Sequence, residues 1–170
     1  VVLSRGLGDV YKRQIEAYRA DLYEAGAEKF DRLITPLYLT ANTTASMVEA
    51  GAASGLLRAA KYYPPHGTTN AEYGIPMDDW IGSDVFKAME ANEVVLCIHG
   101  EQHALKGSEY FDAEQTAESD FYTHRLPRIL DEHPNLRIVC EHITTAKAAE
   151  FVSEAPSHVG ATITPQHLLY

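Results

Sequence analysis

Apolar positions along the chain recur with two alternating periods. Ile15, Tyr18, Leu22 and Tyr23 fall on one face of a helix that Gly26 is suited to stop. Leu33 to Leu39 is a short apolar run, Ala45 to Ala53 is alanine-rich and helical, and Leu56 to Tyr63 is strand-like until Pro64-Pro65 ends it. A polar loop leads to Pro76, a helix is expected around Asp79 to Ala91, and Val94-Val95-Leu96-Cys97-Ile98-His99 reads as a buried β-branched strand. The alternation continues with a helix over Glu118 to Glu132, a strand from Leu136 to His142, a helix from Thr145 to Glu154, and Val159 to Thr164 before Pro165. Strands are therefore expected near 33–39, 56–62, 94–99, 136–142 and 159–164. Strands separated by helices imply parallel βαβ units, so the fold class is α/β, either a doubly wound sheet or a (β/α)8 TIM barrel. A barrel takes roughly 250 residues, so this length corresponds to a partial barrel of about five of the eight strands. Both architectures gather functional groups at strand C-termini.

With 45% hydrophobic and 22% charged residues, the chain reads as one soluble domain rather than a disordered or fibrous segment. A net charge of -10 argues against a nucleic-acid or anionic-membrane partner, leaving small molecules or other proteins. Cys97 and Cys140 each lie in an apolar run, so a disulfide framework is not expected and a reducing cytoplasm fits better. No apolar stretch reaches the length of a membrane span. Residues 1–14 lack the continuous apolar segment of a signal peptide, and Asp9-Val10-Tyr11-Lys12-Arg13-Gln14 resembles a translated sequencing-library adapter. The natural segment is accordingly expected to span 15–170.

Three expected strand ends carry groups with metal chemistry: Lys61, His99 and His142. A solitary histidine at a strand end is more often a hydrogen-bonded rim residue than a ligand, but two in equivalent places shift that balance. An ammonium in the run Ala59-Ala60-Lys61-Tyr62-Tyr63 would be buried at substantial cost unless paired or chemically altered. Lys61 is then either a snorkelling surface lysine or a lysine carboxylated by CO2 to bridge two metals. Cys97 and Cys140 each lie two residues before a histidine, roughly 6.6 Å down the strand, and are expected to pack below the site rather than ligate. His66, His103, His124, His133 and His158 fall in polar or loop contexts and receive no metal role.

Four segments carry a resemblance to the single-function, class II type of dihydroorotases in the amidohydrolase superfamily, over essentially all of 15–170. They are Ala59-Ala60-Lys61-Tyr62-Tyr63-Pro64 with Thr68-Thr69-Asn70 and Gly74; His99-Gly100-Glu101; Glu141-His142-Ile143-Thr144-Thr145; and Ala161-Thr162-Ile163-Thr164-Pro165-Gln166-His167-Leu168. The resemblance implies a zinc-dependent cyclic amidohydrolase that closes N-carbamoyl-L-aspartate to dihydroorotate in pyrimidine biosynthesis. It makes Lys61 the carboxylated ligand bridging two zinc ions, with His99 and His142 on the second zinc, and Thr68, Thr69 and His99 as substrate-binding groups. His167 belongs to a family-like run but receives no specific ligand. A cytoplasmic enzyme acting on a small-molecule substrate is implied, with a homodimer common in the family.

Departures are equally definite. The family's His-x-His strand, its substrate-binding asparagine and its general-base aspartate have no counterpart in the chain, so an internal piece without activity of its own is expected. The stretch Phe111 to Glu118 lacks the Asp-Arg-Glu order expected after the histidine strand. Hydantoinases or allantoinases share the lysine and histidine strands, but the Thr-Thr-Asn loop and the Thr-Pro-Gln-His run favour dihydroorotase. A non-catalytic remnant is supported only by the missing ligands.

Overall fold

A computed structural model describes residues 7–67, 71–102, 105 and 116–169, with side chains from residue 15 onward. Its five strands are β1 (Leu37–Tyr38), β2 (Ala59–Tyr62), β3 (Val95–Ile98), β4 (Ile138–Cys140) and β5 (Val159–Ala161). All pair in parallel in the order β1-β2-β3-β4-β5. A doubly wound sheet reverses its strand order at a switch point, whereas a barrel wall adds strands sequentially, and this sheet is sequential throughout.

The helices are α1 (Leu7–Glu24), α2 (Ala45–Ala53), α3 (Met77–Trp80), α4 (Asp84–Ala91), α5 (Ala117–His124), α6 (Leu126–Glu132), α7 (Ala146–Glu154) and α8 (Pro165–Leu169). Thr44, Ser83, Thr116 and Thr145 start α2, α4, α5 and α7, each side-chain oxygen accepting from the amide three residues on. α1 runs back through Ile15 into the adapter-like stretch.

Two expected helices are each divided. The helix around 79–91 is broken where Ile81 turns extended and Gly82 adopts a left-handed φ of 76°. The helix over 118–132 breaks at Arg125, because Pro127 in the first turn of α6 has no amide to donate back to α5. The first strand is shorter than expected for a related reason: Pro36 removes a ladder donor, and pairing begins only at Leu37.

The core lies between the sheet and its helices. Leu96 and Ile98 of β3, Phe86 and Met89 of α4, Leu126 and Ile129 of α6, and Leu136 before β4 have no appreciable exposure. Trp80 stacks on Phe86 at 5.9 Å, and His133 meets the same phenylalanine edge-on at 5.7 Å. Burial of an imidazole in that apolar setting is tolerated because its Nε2 accepts from the Gly82 amide at 3.1 Å, which ties the end of α6 to the break between α3 and α4. Among the described residues no helix is long and apolar enough to cross a membrane.

Burial lowers the pKa of His133 below the ordinary imidazole value, outweighing the opposing pull of Glu90 and Glu132. The unfolded chain then binds the proton more readily, so the stability that a neutral His133 supports is complete above the ordinary imidazole pKa and is lost as pH falls below it. Urea midpoints measured at pH 7.5 and 5.5 should fall for the wild type and fall less for His133→Gln; equal slopes would disprove the assignment.

Candidate active site at the strand C-termini

Register places Tyr38, Lys61, Cys97, Val139 and Gly160 in one row across the five strands. Lys61 therefore starts about one layer of side chains below His99 and Glu141, which each lie two residues further along their own chains. A rise of roughly 6.6 Å separates these layers, a gap that the four-carbon lysine stem can cross. Lys61 is 8% exposed, and its Nζ forms an ion pair with the Glu141 carboxylate while lying 4.8 Å from the Tyr63 ring centroid. Burial of the ammonium is thus compensated by a carboxylate and an aromatic face rather than by snorkelling to water.

His99 and His142 converge beside this pair. His99 Nδ1 lies 3.1 Å from His142 Nε2, with ring centroids 4.7 Å apart. His99 Nε2 also lies 3.1 Å from Glu101 Oε2. Hydrogen bonding to His99, helped by the two imidazoles' charge and opposed by burial, holds the Glu101 carboxyl below its ordinary pKa. Tyr63 stands 6.2 Å from the His99 ring, and Tyr38 packs edge-on against Tyr63 at 5.6 Å, continuing the polar rim toward β1.

His142 reaches this position by an unusual route. Strict alternation along β4 would place it with Ile138 and Cys140, both fully buried toward the helices. Its φ of 45° is left-handed, which redirects the chain just past the strand and brings the ring to His99. Its amide donates to Thr162 Oγ1 at 2.8 Å. Desolvation, reinforced by His99 and Lys61, lowers the His142 pKa and favours the neutral imidazole.

The cysteines separate. Cys97 lies level with Lys61, below His99, as expected. Cys140 does not lie beneath the histidines inside the barrel: it is buried on the helix side against Tyr122, and burial pushes its thiol up to about 11. Both are free. His66 and His124 are exposed, and His124 pairs with Asp120. His167 approaches His142 with ring centroids 6.4 Å apart and contacts Thr164 Oγ1 at 3.1 Å. Thr68, Thr69 and His103 lie outside the described residues.

The donor set can be compared with what a metal requires. Two imidazole nitrogens on one tetrahedral zinc stand roughly 3.3 Å apart, given Zn–N bonds near 2.0–2.1 Å, and the 3.1 Å separation of His99 and His142 fits that demand closely. Lys61 as an ammonium does not fit, because it is a donor already paired with Glu141. Among the described residues no three His, Cys, Asp or Glu side chains form a metal-binding group. Sequence reasoning gave Glu141 no role. The available signal was the period of the strand, which puts Glu141 on the face of Val139, beside a buried lysine needing an anion.

A sequential parallel sheet with a lysine, a glutamate and two histidines at its C-terminal rim is a segment of a (β/α)8 barrel, with its polar cluster where such barrels carry their sites. No family model matches the chain. It is 41% identical over 165 residues to dihydroorotase of Pseudomonas aeruginosa (strain LESB58), covering 95% of this chain and 43% of that protein. With dihydroorotase of Pseudomonas putida (strain W619) it shares 42% over 159 residues, covering 91% and 43%. The crystal structure of Saccharomyces cerevisiae dihydroorotase in complex with 5-fluoroorotic acid superposes with a TM-score of 0.79 at 26% identity, covering 93% of this chain and 45% of that one. Campylobacter jejuni dihydroorotase gives 0.72 at 25%, covering 93% and 43%. Over the stretch it spans, the chain is similar to dihydroorotases in sequence and in fold, and it spans less than half the length of these relatives.

Glu141→Gln should destabilise the chain by about 1–3 kcal/mol, because it leaves a buried ammonium without its anion. In urea unfolding, the double variant Lys61→Met/Glu141→Gln should cost less than the sum of the single changes. Strict additivity would show that the pair is not coupled.

Proposed function

We propose that residues 15–170 form the central part of a zinc-dependent dihydroorotase, which interconverts N-carbamoyl-L-aspartate and dihydroorotate in the cytoplasm. The observation that carries this reading is the convergence of Lys61 of β2 with His99, Glu141 and His142, which follow β3 and β4, in a chain similar to dihydroorotases. In this reading Lys61, once carboxylated, would hold zinc together with His99 and His142. Zinc bound there would polarise the ring amide carbonyl and bring the pKa of bound water toward neutrality.

The chain's own residues have distinct tasks. His142, kept neutral by desolvation, offers a lone pair rather than a proton. Glu101 lies beside His99 Nε2 and restrains that ring from the side away from His142. Carboxylation would turn Lys61 from a cation into an anion, so its pairing with Glu141 would have to break as metal enters. Thr68 and Thr69 would bind and cover the substrate, excluding water during turnover. The general-base aspartate and the first histidine pair would come from parts of the protein outside this chain. Assembly of the whole protein as a homodimer is part of the same reading.

Ring opening of dihydroorotate should be measured on the full-length protein recovered from flanking genomic sequence, with zinc and bicarbonate present. Substituting Lys61, His99 or His142 by Ala should each lower kcat/KM by about 10²-fold or more. The present chain assayed alone should give no turnover above its Lys61→Ala control, since one metal would lack its ligands. Wild-type activity in the full-length Lys61→Ala variant would refute the proposal.

A further inference from the structure

Glu118 is a buried carboxylate with no role in the reading above. It is 8% exposed and sits in the first turn of α5. No lysine, arginine or histidine pairs with it among the described residues. Instead it receives donors from the two residues that open α7: Thr144 N at 3.1 Å, Thr144 Oγ1 at 2.7 Å and Thr145 N at 2.7 Å. Burial of a carboxylate without a cation is costly, so these donors and the nearby start of α7 must supply its compensation. Such a requirement works in both directions, since the carboxylate also fixes the segment that satisfies it.

That segment begins with His142. Left-handed backbone at a residue with a Cβ is locally unfavourable and persists only where its surroundings enforce it. On one side His142 N and Ile143 N are bound by Thr162, at 2.8 and 3.0 Å. On the other, Thr144 and Thr145 are bound by Glu118. Released from Glu118, the chain could relax toward extended backbone, which by strand alternation would turn the His142 ring from His99 toward the helices.

The same helix supports the other histidine. Tyr122, one turn after Glu118, presses on Gly100 directly after His99, so closely that an added Cβ would meet its ring at 2.9 Å.

We propose that Glu118 is a positioning residue for His142: by holding Thr144 and Thr145 it maintains the left-handed turn that sets the His142 ring against His99. The proposal rests on the functional reading only for its consequence, since the geometry itself can be measured without metal.

In the metal-free chain, the nuclear Overhauser contact between the His99 and His142 ring protons reports the pairing, and the contact between Phe86 and His133, which are 5.7 Å apart, serves as a folding control. Glu118→Ala should reduce the histidine contact several-fold and speed exchange of the Thr144 and Thr145 amides by about tenfold, with the control unchanged. Thr144→Val removes one donor from an exposed residue and should weaken the histidine contact by a smaller factor. If Glu118→Ala fails to fold, Glu118→Gln decides: retaining one acceptor oxygen, it should keep the control contact and give a partial loss of the histidine contact.

Faster exchange with an undiminished histidine contact in whichever variant folds would overturn the proposal, reducing Glu118 to a cap for α7. Cobalt(II) titration of the same samples should show affinity falling by about 10-fold or more in Glu118→Ala. Absence of cobalt binding by the wild type would count against the metal reading while leaving the contact measurement to decide the role of Glu118.

Discussion

Parallel pairing of β2, β3 and β4 is the constraint on which the site depends. The register sets Lys61 level with Cys97 and Val139, so His99 and Glu141 stand one step higher on the same rim. A shift of one residue in either pair would send Lys61 or Glu141 into the helix layer, where Leu96, Ile98 and Cys140 are packed. The apolar helix-facing residues therefore do more than fill a core: by fixing which face each strand buries, they decide which polar groups meet on the other.

What meets there is electrostatically interdependent. The ammonium of Lys61 is compensated by Glu141 and the Tyr63 face, and its charge in turn helps to keep His142 neutral. Glu101 faces His99 from the opposite side to His142. Converting Lys61 to an anion would rearrange the whole cluster, because Glu141 would lose its partner and a cation would gain a place between the remaining donors.

α5 joins this rim to the helix layer. Its Glu118 grips the chain after His142, its Tyr122 abuts the chain after His99, and its Phe121 packs on Tyr62 beside Lys61 with ring centroids 6.3 Å apart. One short helix thus touches the neighbourhoods of all three expected ligands. Around the sheet's end, Ile163, Leu168 and Leu169 are exposed apolar residues, and β1 and β5 each pair on one side only among the described residues. Those are surfaces that a longer barrel would cover.

Periodicity sufficed for the alternation of strands and helices, for the parallel α/β class and for the place of His99 just past β3, because a period of two or 3.6 is a local property of the chain; Lys61, expected at a strand end, lies inside β2 a layer below His99. Breaks at Gly82 and Pro127 were also legible as residue types, although the helical pattern ran across both. Other features depended on distant segments. Sequential strand order chose the barrel wall over the doubly wound sheet. The partnership of Lys61 with Glu141 joins residues on β2 and the end of β4: the strand period gives each its face, and only the register across β3 brings the two together. His142 shows the division most plainly: its identity at a strand end was visible in the sequence, yet alternation with Cys140 would have turned it the wrong way. Only packing against Thr162 on one side and Glu118 on the other holds the left-handed backbone that turns it to His99, since that conformation is locally unfavourable and must be imposed by contacts made through the fold.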